Sequence, residues 1–369
     1  MSILRSLVKN TVARSVTELV NRLGAALFWV IVARQLGATA LGTLAFGLSL
    51  FNFFITISTL GLGAVVVRDV ARQKEQAGLY LSHTLYIVTV SSILTAACMI
   101  GVTLLISPNP DTTFASLVMA AAVIPASGFF VGRSLLFAAE DMAKVTFCRL
   151  GENLVKIVGG LLLIKFNAGV RELAILIAIS KALPFFIIIP FVYRFARPVW
   201  CIRTNLLRYL VSMIPSFSLI SIFNSLFWTA PVVILTRISG EYQAGLFSAA
   251  YKLIDITVSF AHGYGQALFP IAARTLQHEQ TLFKTMFIKS IKYVTILTLA
   301  LAAGMMILSE EIIRFFYGSA MVEAQGALQI LAWMIVPFAV VPILSSTLVS
   351  SDLQRIDLKA NAVSAVAVT

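Results

Sequence analysis

The amino-acid sequence predicts an all-α integral membrane protein, folded as a bundle of membrane-spanning helices. Hydrophobic residues make up 59% of the 369 residues and charged residues only 12%, whereas a soluble domain carries about 25% charged residues. The mean hydropathy is +0.94. Long apolar stretches recur along the chain with short connections between them, and only a helix satisfies its own backbone hydrogen bonds in such a stretch. Most of the surface is therefore expected to face lipid.

Each apolar stretch is long enough for one crossing of a bilayer, which takes about 20 residues of helix. Ten spans are complete, and an eleventh begins near residue 354. The predicted spans cover residues 12–36, 40–66, 79–106, 112–139, 142–166, 170–195, 209–237, 241–270, 284–309 and 324–350.

The charges between the spans predict the orientation. Cations follow spans two, six and eight, whereas the connections SPNPDTT (107–113) and GEYQ (240–243) contain none. Because cytoplasmic loops carry the excess of lysine and arginine, the N-terminus is expected in the cytoplasm. The net charge of +12 then reflects basic loops beside anionic lipid, and no nucleic-acid partner is expected. The cations in question are Arg68, Arg72, Lys74, Arg194, Arg197, Arg203, Arg208, Arg274 and Lys284.

Two stretches, 203 residues apart, share one pattern: ARQLGATALGTLAFGLSLF (33–51) and TRISGEYQAGLFSAAYKLI (236–254). Weaker matches follow in the same order after spans two and eight and before spans five and eleven. Six spans separate the copies, so both halves have the same topology. The repeat therefore predicts two pseudo-symmetric lobes related by an axis along the membrane normal. The identical pairs are Arg34 with Arg237, Gly37 with Gly240, Gly42 with Gly245, and Leu50 with Leu253.

The lobes are expected to cover residues 1–208, with spans one to six, and residues 209–369, with spans seven to ten and the start of span eleven. Two copies of a 203-residue unit need about 406 residues, about 37 more than this chain has. We therefore expect a complete protein with six spans in each lobe, of which about ten or eleven are present here.

The repeated segments resemble a known family. ARQLGATALGTLAFGLS (33–49), and SGEYQAGLFSAAYKLID (239–255) followed by QALFPIAARTL (266–276), resemble the polysaccharide (O-antigen) flippase family of the multidrug/oligosaccharidyl-lipid/polysaccharide transporter superfamily. The resemblance implies a V-shaped bundle of two six-helix lobes around a central cavity. It also implies a lipid-linked oligosaccharide substrate, usually on undecaprenyl pyrophosphate, that is moved by alternating access.

Polar residues that lipid disfavours form a stripe on span one. Arg14, Glu18 and Arg22 belong to a set of polar side chains within about 140° of arc, at 100° per residue. The stripe is expected to face either a water-filled cavity or, as an interfacial helix anchored by its cations, the cytoplasmic surface.

A second stripe lies on span five, where Arg149, Glu152, Asn153 and Lys156 fall within about 100° of arc. Because this stripe has a net positive charge in an otherwise apolar helix, we interpret it as a cavity wall. The structural alternative is a network of salt bridges between helices.

Span eight carries a third stripe that includes Lys252, Asp255 and His262 at steps of three or four residues. Here the alternatives are a structural Lys252–Asp255 pair and a hydrogen-bonded core histidine. Arg133 and Lys181 are single charges in their spans, which we expect to extend toward an interface along their alkyl stems.

The three stripes supply the predicted site residues. Arg14, Arg22, Arg149, Lys156 and Lys252 would offset the charge of a pyrophosphate head group, with Glu152 and Asn153 beside them. The candidates for ion coupling are Glu18, Asp255 and His262.

The function that these features favour is the flipping of a lipid-linked oligosaccharide across the cell inner membrane, with membrane lipid and other polysaccharide-assembly membrane proteins as further partners. A drug or cation antiporter of the same superfamily would favour an acidic cavity. A membrane polysaccharide polymerase or ligase would carry a long extracytoplasmic loop, which the sequence lacks. A non-transporting remnant is a third alternative. No Walker loop, metal cluster or nucleophile elbow is visible, so we expect no cofactor, no metal and no enzyme activity.

Overall fold

The computed structural model describes residues 2–199, 203–278 and 280–350. All regular elements in these residues are helices, which confirms the predicted all-α class. Short 3₁₀ helices at Lys74–Gln76 and Ser319–Met321 supplement them. The α-helices are α1 (Ser2–Ser58), α2 (Leu62–Arg72), α3 (Ala77–Ile106), α4 (Pro110–Ala138), α5 (Met142–Lys165), α6 (Val170–Phe195), α7 (Thr204–His278), α8 (Gln280–Ile307), α9 (Ser309–Tyr317), α10 (Ala324–Ala332) and α11 (Ile335–Ser350).

Seven helical segments among the described residues are long and apolar enough to cross a membrane. Two of these segments, within α1 and α7, each contain parts of two predicted spans. The predicted span 142–166 corresponds to α5, which contains too many charged residues to count among the seven apolar segments. The chain is thus a multi-pass membrane protein. The seven segments are Ala26–Ser58, Lys74–Ile106, Pro110–Ala138, Val170–Phe195, Phe217–Ser259, Phe283–Ile307 and Ala324–Leu344.

Three details of the predicted spans differ in the structure. The connection GEYQ (240–243) is shorter than predicted, because the two helices within α7 meet directly at the non-helical Gly240 and residues 241–243 are already helical. The predicted span 40–66 is interrupted, because α1 ends at Ser58 and α2 begins at Leu62 after Gly61 in the left-handed conformation. The predicted span 324–350 contains a turn between Ala332 and Ile335, although Ala324–Leu344 is still one segment long and apolar enough to cross a membrane. Neither break contains a charged residue, so hydropathy does not reveal these interruptions of two or three residues.

The repeated glycines have the same backbone conformation. Gly37 kinks α1 with φ 78° and ψ −173°, and Gly240 kinks α7 with φ 83° and ψ 174°. This region of φ/ψ space is accessible essentially only to glycine. Each kink therefore joins two helical segments directly, where the sequence predicted a connection between two spans.

Packing divides the chain into two units, one formed by Gly42–Ala244 and the other by Met1–Leu41 with Gly245–Thr369. Both divisions fall within a few residues of the kinks in α1 and α7. The predicted division into lobes at residue 208 stays a prediction.

The core of the Gly42–Ala244 unit lies between α2, α3, α4 and α6. Leu62 and Val66 of α2 pack with Leu135 of α4 and Ile188 of α6, and all four are buried. Helices α4 and α6 approach closely because α4 presents glycines to α6. A Cβ at Gly128 would overlap the Phe185 ring, so only a glycine fits this contact.

In the other unit, the first part of α1 packs with elements that follow Gly245. The Arg34 Nε donates a hydrogen bond to the Phe316 carbonyl at 2.6 Å, and its guanidinium also reaches the Phe315 carbonyl. Arg34 therefore caps the C-terminus of α9, where carbonyls lack helical partners. The buried Tyr317 hydroxyl donates to the Ala249 carbonyl of α7 at 2.9 Å.

One set of contacts joins the predicted extracytoplasmic segments of the Gly42–Ala244 unit. The buried Glu241 carboxylate accepts a hydrogen bond from the Thr112 hydroxyl at 2.9 Å and one from the Asn109 amide. Arg171, at the start of α6, pairs with Asp111 at 2.7 Å. The starts of α4 and α6 and the kink of α7 thus share one end of the unit.

A second set joins the segments that were predicted to be cytoplasmic. The partly buried Asp69 carboxylate accepts from Arg68 at 2.7 Å and from the Tyr209 hydroxyl at 2.9 Å. Burial opposes the charged form of Asp69, but these donors outweigh it and hold the pKa of that carboxyl below its ordinary value. Nearby, the His83 Nε2 accepts from the Arg203 backbone N–H at 2.8 Å. The contacts agree with the predicted alternation of sides, whereas the side that faces the cytoplasm stays a prediction.

Candidate functional site

Helix α5 separates its side chains as the sequence predicted. Leu154 is 66% exposed and Val158 is also exposed, on the face expected to meet lipid. Glu152 and Lys156, one helical turn apart, are buried on the other side. Two ionisable side chains thus lie inside the protein at a level where the outer surface of the helix is apolar.

Glu152 joins two cations from different helices. Its Oε2 accepts a hydrogen bond from Arg149 Nη1 at 3.0 Å, and its Oε1 accepts from Lys181 Nζ of α6 at 2.7 Å. The Glu152 side chain is only 5% exposed. Lys156, buried and four residues further along α5, also attracts this carboxylate. We call these four residues the cationic cluster: Arg149, Glu152, Lys156 and Lys181.

Cations outnumber the carboxylate within the cationic cluster. The formal charges of its four side chains sum to +2 when all are ionised, and Lys156 makes a further interaction of its own. Arg149 also lies over the Phe129 ring of α4, 5.1 Å from its centroid, where the aromatic face stabilises a cation. The cluster is therefore both a bridge between α4, α5 and α6 and a concentration of positive charge inside the membrane-embedded unit.

The pairing of Lys181 corrects the expectation that it extends to an interface. The charge lies on α6, 29 residues from Glu152, and a single-helix projection does not relate the two. Only the relative register of α5 and α6 brings them together. Asn153, the remaining predicted residue of this stripe, is half-buried on α5 beside Glu152 and makes contacts of its own.

The structure places the other predicted site residues in less detail. Lys252 lies in the unit that contains α8, with its Nζ 5.5 Å from the Trp29 ring centroid. Asp255, three residues later, is half-buried and also has a partner. The side chains of Arg14, Glu18, Arg22 and His262 lie outside the described part of the chain, so their roles stay predictions. The convergence of the three polar stripes on one cavity also stays a prediction.

Comparisons with known proteins identify relatives of the sequence and of the fold. A family model described as polysaccharide biosynthesis protein matches residues 7–276. No curated protein matches the sequence. Among solved structures, the lipid II flippase MurJ in its inward closed conformation is 13% identical, with a TM-score of 0.80 over 96% of this chain and 79% of that chain.

Other transporters of the MOP superfamily have similar structures. An inward-facing multidrug resistance MATE family transporter of the MOP superfamily is 15% identical, with a TM-score of 0.72 over 92% of this chain and 83% of that one. A MOP superfamily transporter from Pyrococcus furiosus, described as having a binding pocket of reverse polarity, is 16% identical, with a TM-score of 0.59 over 96% and 84%. At these identities the likeness shows that this chain has the fold of MOP superfamily transporters.

Proposed function

Because the chain belongs to the polysaccharide biosynthesis protein family, we propose that it is a flippase that moves a lipid-linked oligosaccharide across the cytoplasmic membrane. The proposed cargo is an oligosaccharide on undecaprenyl pyrophosphate that is destined for cell-surface polysaccharide, such as the O-antigen of lipopolysaccharide. Transport would proceed by alternating access. The protein would lie in the inner membrane of the cell, with its N-terminus in the cytoplasm.

The observation that carries this proposal is the cationic cluster. A pyrophosphate diester has a charge of about −2 at neutral pH, and its transfer from water into a membrane protein costs free energy unless cations offset it. Arg149 supplies a planar fork for phosphate oxygens, and Lys156 and Lys181 supply point charges. A head group at this cluster would meet an excess of positive charge among these four side chains.

The drug or cation antiporter is the second candidate, because the fold is shared with a multidrug transporter. A cationic drug would be repelled by the cluster, where three cations face one carboxylate. The fold is equally shared with a protein named as a lipid II flippase. The sign of the charge in the cationic cluster therefore favours an anionic head group.

The further binding residues are proposed on the same grounds. Arg14, Arg22 and Lys252 would extend the positive lining, Asn153 would hydrogen-bond to the cargo, and an ion gradient would be coupled through Glu18, Asp255 or His262. These assignments rest on the polar stripes of spans one, five and eight.

The proposal is tested by neutralising the cluster and measuring export. We expect Arg149→Ala combined with Lys156→Ala to reduce the lipid-linked oligosaccharide that reaches the outer leaflet by about tenfold or more, because charge-assisted contacts to phosphate contribute about 1.5–3 kcal/mol each. Export is measured in cells that lack their own flippase and is normalised to folded protein in the membrane.

Lys144→Ala is the matched control, since Lys144 is a cation at the start of α5 that pairs with Asp141 at 2.5 Å, outside the cluster. It should export at the wild-type level. Export at the wild-type level from the double variant would remove the cluster from the binding site.

A further inference from the structure

The two cations that hold Glu152 are more accessible than Glu152 itself. The side chains of Arg149 and Lys181 are 38% and 21% exposed, whereas that of Glu152 is 5% exposed. An anion that approaches the cluster therefore meets the guanidinium and the ammonium first, with the carboxylate behind them.

The same two cations retain hydrogen-bonding capacity. Over the described residues, Arg149 and Lys181 each make one side-chain hydrogen bond, and both bonds go to Glu152. A guanidinium has five N–H donors and an ammonium has three. Both groups can therefore bind a phosphate oxygen while they remain beside the carboxylate.

Glu152 sets the charge that such an anion meets. With the carboxylate ionised, the cluster has a net charge of +2, and without it the charge would be +3. A diphosphate diester carries a charge of about −2, and ionised Glu152 lowers by one unit the positive charge that this anion meets. An excess positive charge in a site of low dielectric would hold the diphosphate more tightly and slow its release.

From this geometry we propose that Lys181 is a further residue that binds the diphosphate head group and that Glu152 is a positioning residue. Glu152 holds Lys181 and Arg149 together. It also limits the affinity of the site, so that the cargo is released. The proposal rests on the flippase function proposed above. It gives the one buried carboxylate of the cluster a role in turnover and goes beyond a purely structural ion pair.

The first test measures binding and turnover of Glu152→Gln. The probe is a farnesyl diphosphate-linked monosaccharide, with binding measured on the purified full chain in detergent and flipping measured in proteoliposomes. We expect Glu152→Gln to bind the probe about tenfold more tightly, because a competing charge-assisted interaction is lost, and to turn over more slowly. A folded Glu152→Gln protein that binds no more tightly than wild type would overturn the positioning role.

The second test changes Lys181. Lys181→Gln should weaken probe binding about tenfold or more, and Lys181→Arg should restore most of it, because arginine keeps the charge. The gain from Glu152→Gln should also shrink in the Lys181→Gln background, since one of the two competed cations is then absent. Unchanged affinity of Lys181→Gln for the probe would remove Lys181 from the site.

If Glu152→Gln does not fold, Glu152→Asp replaces it in the first test. The shorter side chain of aspartate draws the carboxylate back from the two cations, so this variant should likewise bind the probe more tightly.

Asp111→Asn is the matched control. It breaks the Arg171–Asp111 ion pair of the same unit, which is 55% exposed on both sides, and should leave probe affinity unchanged. The result for wild type separates the two proposals: failure of wild type to bind the diphosphate probe would contradict the flippase function. Wild-type binding without the expected effects of the variants would contradict only the roles of Glu152 and Lys181.

Discussion

The kinks at Gly37 and Gly240 are expected to require glycine for backbone reasons alone. A Cβ added at either position would have no heavy atom within 4 Å. An alanine there would therefore not clash with a neighbouring residue. It would instead have to adopt φ near 80° with ψ near 180°, a region that is strained for any residue with a Cβ.

The free-energy cost follows from this conformation. Strain of this kind amounts to about 1–3 kcal/mol per residue, so Gly37→Ala and Gly240→Ala should each destabilise the protein by that amount. Gly101 is the matched control, because it lies in α3, is exposed, and would likewise have no heavy atom within 4 Å of an added Cβ. Alanine should stabilise an ordinary helical site by about 0.5–1 kcal/mol. The two kinds of variant should thus differ by about 1.5–4 kcal/mol.

The measurement is equilibrium unfolding of the purified protein in mixed micelles with increasing denaturing detergent. Wild type, Gly37→Ala, Gly240→Ala and Gly101→Ala are compared at one protein concentration. If the alanine variants at the two kinks are as stable as Gly101→Ala, the glycine requirement at the kinks is refuted, and with it the equivalence of the two repeated segments at the level of backbone conformation.

Two further predictions concern the end of the Gly42–Ala244 unit that we expect in the cytoplasm. His83→Phe should speed trypsin cleavage at Arg203 severalfold in vesicles that expose this end, because the imidazole no longer accepts the Arg203 N–H; an unchanged cleavage rate would show that the histidine does not hold this segment. Asp69→Asn should destabilise the protein by about 1 kcal/mol at pH 7, a value reduced by the exposure of Arg68 to solvent. The folded-state pKa of Asp69 is lowered. The stabilisation by its ionised carboxylate is therefore present above the ordinary aspartate pKa of about 4 and is lost as the pH falls through the folded-state value. Melting curves of the two proteins should converge in acid, and a difference that does not change with pH would contradict the assignment.

The sequence predicted single helices well and connections between spans less well. The predicted span 170–195 coincides with α6, and 142–166 differs from α5 by one residue, because Gly169 and Asp141 interrupt the apolar pattern at the helix starts. Hydropathy could not distinguish a loop from a direct junction of two helices at Gly240. That distinction depends on the backbone conformation of one glycine, which the composition of its neighbours does not determine.

The candidate site was predicted as a set of residues on one helix and not as a pairing. Helical periodicity placed Glu152 and Lys156 on the buried side of α5, and both are buried. It gave no information about Lys181, because pairing with Glu152 depends on the relative rotation and translation of α5 and α6. These are determined by close packing of many side chains, whose individual contributions a single sequence does not reveal.

Translocation by the purified protein tests the central claim most directly. The chain is reconstituted into liposomes that contain a fluorescent undecaprenyl diphosphate oligosaccharide, and a membrane-impermeant reagent reports which leaflet holds the sugar. We expect wild type to move the oligosaccharide between leaflets, and the Arg149→Ala, Lys156→Ala double variant to do so at least about tenfold more slowly. Wild-type liposomes that move a cationic drug against a proton or sodium gradient, and leave the oligosaccharide where it was, would contradict the account.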